Sequence, residues 1–105
     1  MIEAAGPKLA RWRTAIGWAA RVAMQGCAPI PLDQPVKVEL AFRFERPTNP
    51  ARSYPCVGGG LDVDKLIRAT HDALTGIVWT DDSQCVELLA TKGYGEPGVE
   101  IMVQW

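Results

Sequence analysis

The segment Val36–Phe44 constrains the fold of this 105-residue chain more than any other part of it. An apolar Val, Leu or Phe side chain stands at every second position, with Lys, Glu, Ala and Arg between them. Because successive side chains of a β-strand point to opposite faces, this alternation predicts a strand with one buried face and one polar face. Such a strand requires other elements to cover its apolar side.

Two segments have the spacing of amphipathic helices. The first runs from Pro7 to about Gln25 and ends at Gly26, which favours helix termination. The second ends at Gly76. Its buried face is predicted to consist of six residues: Val63, Leu66, Ile67, Thr70, Ala73 and Leu74.

Two further alternating segments, Gln84–Lys92 and Gly98–Gln104, predict strands. Because their connection is short, we expect them to form an antiparallel hairpin. Between the first strand and the second helix, Pro47–Gly60 is predicted to be a loop because it carries three prolines and three consecutive glycines. The chain is thus predicted to be one α+β domain, residues 1–105, with two helices packed on a small mixed or antiparallel sheet.

Composition excludes several classes of protein. An apolar content of 48% with 22% charged residues argues against disorder. No apolar run is long enough to cross a membrane, and no signal peptide is apparent. The three cysteines have no Cys-x-x-Cys spacing, which argues against a disulfide framework and a zinc site. We therefore expect a cytoplasmic protein with neither a membrane partner nor a small-molecule cofactor.

Five of the six aspartates lie within residues 62–82. Asp62 and Asp64 stand at the entrance of the second helix, whereas Asp81 and Asp82 follow just after it. Carboxylates that converge repel one another unless a hard cation such as Mg²⁺ neutralises them. A carboxylate-bound Mg²⁺ suits the attack of activated water on a phosphodiester. The pattern predicts metal-dependent phosphodiester hydrolysis.

The same acidic motifs also have structural explanations. Asp is a favoured helix N-cap, acids in a first turn complement the helix dipole, and Asp-Asp-Ser is a common turn sequence. Arg68, four residues from both Asp64 and Asp72, could form helix ion pairs or hold a phosphate. His71 has no partner at metal-ligand spacing and is expected on the surface. The four tryptophans are expected mostly in the core, with base stacking by Trp79 as the alternative.

Charge distribution is compatible with a nucleic-acid substrate. The net charge is −1, but without Asp62, Asp64, Asp81 and Asp82 the chain has 11 basic and 8 acidic residues. Basic flanks around an acidic centre suit a phosphate polymer that is cleaved at a metal site. Ordinary surface charge explains the same numbers equally well.

The order and spacing of these motifs resemble the core of the RusA family of Holliday junction resolvases. Members have a D-L-D-N-x-x-K segment, then D-A-L, then D-D-x-Q before a strand. Here the corresponding residues run from Asp62 to Arg68, from Asp72 to Leu74 and from Asp81 to Gln84. The resemblance is strongest over residues 36–105.

This resemblance implies a homodimeric, Mg²⁺-dependent endonuclease, with Mn²⁺ as a possible substitute, that cuts four-way DNA junctions by paired nicks in DNA recombination and repair. Such enzymes are often encoded by phages or prophages. The family's metal ligands fall on Asp62, Asp64 and Asp82, and its active-site lysine falls on Arg68. Asp81 and Lys65 are possible additional site residues. DNA contacts are expected from four basic residues: Arg52, Lys65, Arg68 and Lys92.

Two departures from the family pattern bear on activity. Lys65 replaces the common Asn and Arg68 replaces the Lys, and Arg and Lys are not interchangeable in catalysis. Family members also begin with a β-strand and a basic segment before the first helix, whereas this chain starts almost at that helix. We therefore expect a homodimer with weakened nuclease activity. A truncated module that binds DNA or dimerises without cleavage, and a nuclease for other branched or single-stranded DNA, are the alternatives.

Overall fold

The elements lie close to where their sequence patterns predict them. The structure, a computed structural model, describes residues 9–45 and 62–105. Its helices are α1 (Leu9–Met24) and α2 (Val63–Leu74), and its strands are β1 (Val36–Phe44), β2 (Cys85–Tyr94) and β3 (Gly98–Gln104). A 3₁₀ turn, Asp82–Gln84, precedes β2. The predicted order of helix, strand, helix, strand, strand is confirmed.

Glycines end both helices. After α1 the backbone turns through Gln25 and Gly26, whose φ angles are 50° and 80°, and after α2 it turns at Gly76, whose φ is 86°. Glycine adopts this left-handed conformation without the steric cost that a Cβ imposes. The predicted helix ends are therefore confirmed. Among the described residues, no helix is both long and apolar enough to cross a membrane.

The sheet has the strand order β2-β1-β3, so the predicted hairpin of β2 and β3 is wrong. β1 lies between them, parallel to β2 and antiparallel to β3. The connection from β2 to β3 passes the end of β1, where the Gly95 N–H donates to the Phe44 carbonyl at 3.0 Å. A Cβ on Gly95 would lie 3.0 Å from Cδ of Arg43, so glycine permits this close passage. The central place gives β1 a neighbour on each side.

The three elements β1, α2 and β2 form a parallel crossover unit. Because β1 and β2 run in the same direction, the chain must return between them, and α2 makes this return. The beginning of α2 therefore lies toward the carboxyl ends of both strands, and its end lies toward the start of β2. This topology decides where each candidate site residue stands.

The core lies between the two helices and one face of the sheet. Trp12 and Ile16 of α1, Leu66 and Leu74 of α2, and Trp79 are buried. The sheet contributes four buried side chains of β1, namely Val36, Val38, Leu40 and Phe42. The prediction for β1 is thus confirmed, except that Phe44 is only partly buried. Trp12 and Trp79 are core residues as expected, but Trp18 and Trp105 are exposed.

Candidate functional site

The acidic pair at the entrance of α2 is open to solvent. Asp62 is the N-cap residue of α2, yet its side chain forms no capping hydrogen bond. Its carboxylate instead lies 3.8 Å from the ammonium of Lys65, and both side chains are mostly exposed. Asp64 stands in the first turn and is exposed as well. Capping by the Asp62 side chain therefore does not account for this residue.

Arg68 lies one turn beyond Asp64, on the exposed surface of α2. In the described part of the chain it forms no ion pair with Asp64 or Asp72, although the helical spacing would allow both. Asp72 is paired instead with Arg13 of α1, at 3.8 Å. The guanidinium of Arg68 is thus available for an external anion such as a phosphate.

The two residues of the second acidic pair, Asp81 and Asp82, differ in their structural roles. Asp81 caps the 3₁₀ turn through a capping box, in which its carboxylate accepts from the Ser83 N–H at 3.0 Å. Hydrogen bonds from Ser83 lower the pKa of Asp81. Asp82, the next residue, is exposed and does not take part in this cap. Capping of the turn therefore explains the presence of Asp81, whereas it does not explain Asp82.

Gln84 fixes this turn to the rest of the protein. Its buried side-chain oxygen accepts from the N–H groups of Thr80 and Asp81, at 2.8 and 2.9 Å. Its nitrogen donates to the carbonyls of Pro31 and Gln34, at 2.7 and 2.9 Å. Gln84 is the last residue of the D-D-x-Q motif, for which the sequence alone predicted no role. Its position three residues after Asp81 is the signal of a capping box, and this signal could have revealed it.

Asp82 lies toward the C-terminal half of α2. Its charge raises the pKa of His71, as does that of Asp72, although burial is the stronger effect and lowers the pKa overall. His71 is half-buried, edge-on to the Trp79 ring at 5.4 Å, so the expectation of a surface histidine is wrong. Nε2 of His71 has no hydrogen-bond partner among the described residues.

The three proposed metal ligands are not gathered within one chain. Asp64 precedes His71 by seven residues, which is about 10 Å along a helix axis at 1.5 Å per residue. Among residues 9–45 and 62–105, no three His, Cys, Asp or Glu side chains are grouped so that they could hold a metal ion. Asp62 and Asp64 are therefore near one end of α2, and Asp82 is near the other.

The structure describes three of the four basic residues that are predicted to contact DNA. Lys65 and Arg68 are exposed on α2, on the same element as Asp64. Lys92 lies on β2 with its ammonium 5.9 Å from the centre of the Phe44 ring, at the end of the sheet where α2 begins. Arg52 falls outside the described residues. Trp79 is fully buried, and its Nε1–H donates to the Thr75 hydroxyl at 3.0 Å, so it cannot stack on a base.

Comparison with known proteins bears on this site. Residues 4–104 match the model of the family described as "Endodeoxyribonuclease RusA". The chain is also 43% identical over 44 residues to the uncharacterized protein YqaN of Bacillus subtilis (strain 168). That segment covers 41% of this chain and 31% of YqaN, so the chain spans less than a third of this relative.

Proposed function

Because this chain belongs to the RusA endodeoxyribonuclease family, we propose that it is a Mg²⁺-dependent endonuclease that resolves four-way DNA junctions by paired nicks. Asp62, Asp64 and Asp82 are the proposed metal ligands, and Arg68 is the proposed phosphate contact. The reaction would serve DNA recombination and repair.

The observation that carries this proposal is the state of the charged groups at the start of α2. Asp62 occupies a capping position without using its carboxylate as a cap. Asp64 stands beside it in the first turn, and Arg68 forms no ion pair one turn further on among the described residues. Two solvent-exposed carboxylates with a nearby unpaired guanidinium suit a cation and the phosphate it would bind.

The carboxylates at the start of α2 supply some of the ligands that a Mg²⁺ ion needs. Carboxylate oxygens are ligands that Mg²⁺ prefers, and proteins often hold it with only one or two of them while water and phosphate oxygens fill the other positions. When bound, the cation would activate water and offset the charge of the phosphodiester. Asp62 and Asp64 can supply two ligands from one chain. Because Asp82 lies toward the far end of α2, water and phosphate oxygens would fill the positions that Asp62 and Asp64 leave open.

A homodimer is part of the proposal. Two nicks placed symmetrically across a junction require two sites related by a two-fold axis, and a C₂ dimer is the smallest assembly that supplies them.

The competing proposal is a non-cleaving module of the same fold that binds DNA or dimerises. One observation favours it, namely that the described residues of a single chain do not assemble three metal ligands. The two proposals differ in one measurable respect. Only the nuclease turns over its substrate when a divalent cation is added.

The test is incubation of the protein with a synthetic four-way junction and with linear duplex, with and without Mg²⁺. We expect paired nicks in the junction with Mg²⁺ only. Asp64→Asn should abolish cleavage and leave junction binding intact, because the change removes a ligand charge without altering side-chain volume. Asp33→Asn, an exposed aspartate in the loop before β1, is the matched control and should cleave normally.

A junction that the wild type binds but leaves uncut in both Mg²⁺ and Mn²⁺ would establish the non-cleaving module instead. Cleavage by Asp64→Asn at the wild-type rate would remove Asp64 from the set of ligands.

A further inference from the structure

The outer face of α1, formed by Trp18, Arg21 and Val22, combines apolar and basic side chains at the surface. Trp18 and Val22 are each 68% exposed, whereas Trp12 and Ile16 on the opposite side of the same helix are buried in the core. Because Arg21 and Val22 follow Trp18 by three and four residues, the three side chains are neighbours on the helix surface. A tryptophan ring is therefore presented to solvent beside a guanidinium group.

The charge of α1 favours an anionic partner. The helix contains three arginines and no acidic residue. Arg13 is paired with Asp72 of α2, at 3.8 Å. Arg21 is exposed and forms no ion pair within residues 9–45 and 62–105. The guanidinium beside the Trp18 ring is thus not neutralised by any carboxylate in the described part of the protein.

The outer face of α1 lies close to α2, which carries part of the proposed site. The two helices pack together at Gly17, where an added Cβ would lie 3.7 Å from Cδ1 of Ile77 and 3.9 Å from the carbonyl oxygen of Ala73. Ala73 follows Asp64 by nine residues, which is about 14 Å along a helix axis. Because each DNA strand has one phosphate per about 3.4 Å of the duplex axis, a strand that leads from Asp64 to α1 spans about four nucleotides.

We infer that Trp18 stacks on an unpaired base of branched DNA and that Arg21 contacts a phosphate next to that base. A nucleotide offers a flat ring to the tryptophan and a negative charge to the arginine, so it matches both side chains. In a linear duplex every base is paired and stacked inside the double helix, whereas bases become available for stacking where the strands diverge. This contact therefore favours branched DNA over linear duplex. The choice of DNA as the partner rests on the proposed function.

Binding measured in EDTA tests this contact separately from cleavage. The probes are a four-way junction with unpaired nucleotides at the branch point and a linear duplex of the same composition, each titrated with the full chain. Trp18→Ala should raise the dissociation constant for the junction at least about fivefold, because stacking of a base on the ring is lost. The same variant should bind the duplex as the wild type does. Trp18→Phe keeps an aromatic ring and should bind the junction more tightly than Trp18→Ala.

The salt dependence of junction binding separates the two side chains. Arg21→Ala should reduce the slope of the logarithm of the binding constant against the logarithm of salt concentration by about 0.9, the contribution of one phosphate contact, whereas Trp18→Ala should leave it unchanged. Trp105→Ala is the matched control, because Trp105 is 75% exposed and follows the end of β3. It should bind both probes as the wild type does. Circular dichroism confirms that each variant is folded.

The outcomes distinguish this contact from the proposed function. Wild-type junction affinity in Trp18→Ala, an equal loss of its duplex affinity, or an equal loss in Trp105→Ala would each overturn the inference and leave the proposed function standing. A wild type that binds neither probe would overturn both. Unchanged junction affinity in Trp18→Ala, together with lost binding to phosphatidylserine vesicles, would show that the outer face of α1 contacts a membrane instead of DNA.

Discussion

Replacing Gln84 with Ala should destabilise the protein more than any surface substitution, although Gln84 touches no proposed ligand group. The side chain is 5% exposed and joins the turn that carries Asp82 to the loop before β1. Four short hydrogen bonds disappear together, two that it accepts and two that it donates. The substitution therefore removes the side chain that holds the turn against the loop before β1.

The magnitude follows from these bonds. An intramolecular hydrogen bond contributes about 0.5–1.5 kcal/mol net, and a polar group left buried without a partner costs about 1–3 kcal/mol. Water can reach some of the freed backbone groups, because all four bonds are only partly buried. We expect a loss of about 2–4 kcal/mol in the free energy of unfolding.

Urea denaturation followed by tryptophan fluorescence measures this loss. Gln34→Ala is the control, because Gln34 is an exposed residue of the same type that contributes only its backbone carbonyl to the network. It should change the free energy of unfolding by less than about 0.5 kcal/mol. A loss below about 1 kcal/mol in Gln84→Ala, or an equal loss in the control, would refute the role assigned to Gln84.

Two further predictions concern α2. Arg68→Ala should slow junction cleavage by at least about tenfold while Arg68→Lys stays closer to the wild type, because both basic side chains can contact a phosphate. A cleavage rate that responds to neither change would show that Arg68 is an ordinary surface residue. His71 has a lowered pKa in the folded protein. As the pH falls, the unfolded chain therefore binds the proton first. The contribution of His71 to the free energy of unfolding is complete above the ordinary pKa of 6.5 and is lost as the pH falls below it. Denaturation between pH 7.5 and 5.5 should show this decline, and His71→Phe should flatten it; an unchanged slope in the variant would assign the decline to other groups.

Secondary structure was predictable because local patterns dominate it here. The alternation in β1 and the glycines after both helices act within a few residues, and the structure follows them. The pairing of strands was not predictable in this way. The short connection between β2 and β3 favours a hairpin, but β1 occupies the place between them, and this preference depends on contacts between segments that are distant in the chain.

In the candidate site, too, features that depend on local sequence were predictable and features that depend on distant contacts were not. The positions of Asp62 and Asp64 at the start of a helix followed from the pattern of α2. Whether a carboxylate caps its helix depends on side-chain geometry, and here the sequence could not separate Asp62, which does not cap, from Asp81, which does. The partner of Asp72 was also inaccessible, because Arg13 belongs to another helix.

The sheet topology explains why the acidic residues are not gathered within one chain. Because β1 and β2 are parallel, α2 runs in the opposite direction between them. The start of α2 carries Asp62 and Asp64, whereas Asp82 comes after its end and just before β2. Each acidic pair was visible in the sequence, but the distance between the pairs depends on the direction of β2 beside β1, which no local pattern specifies.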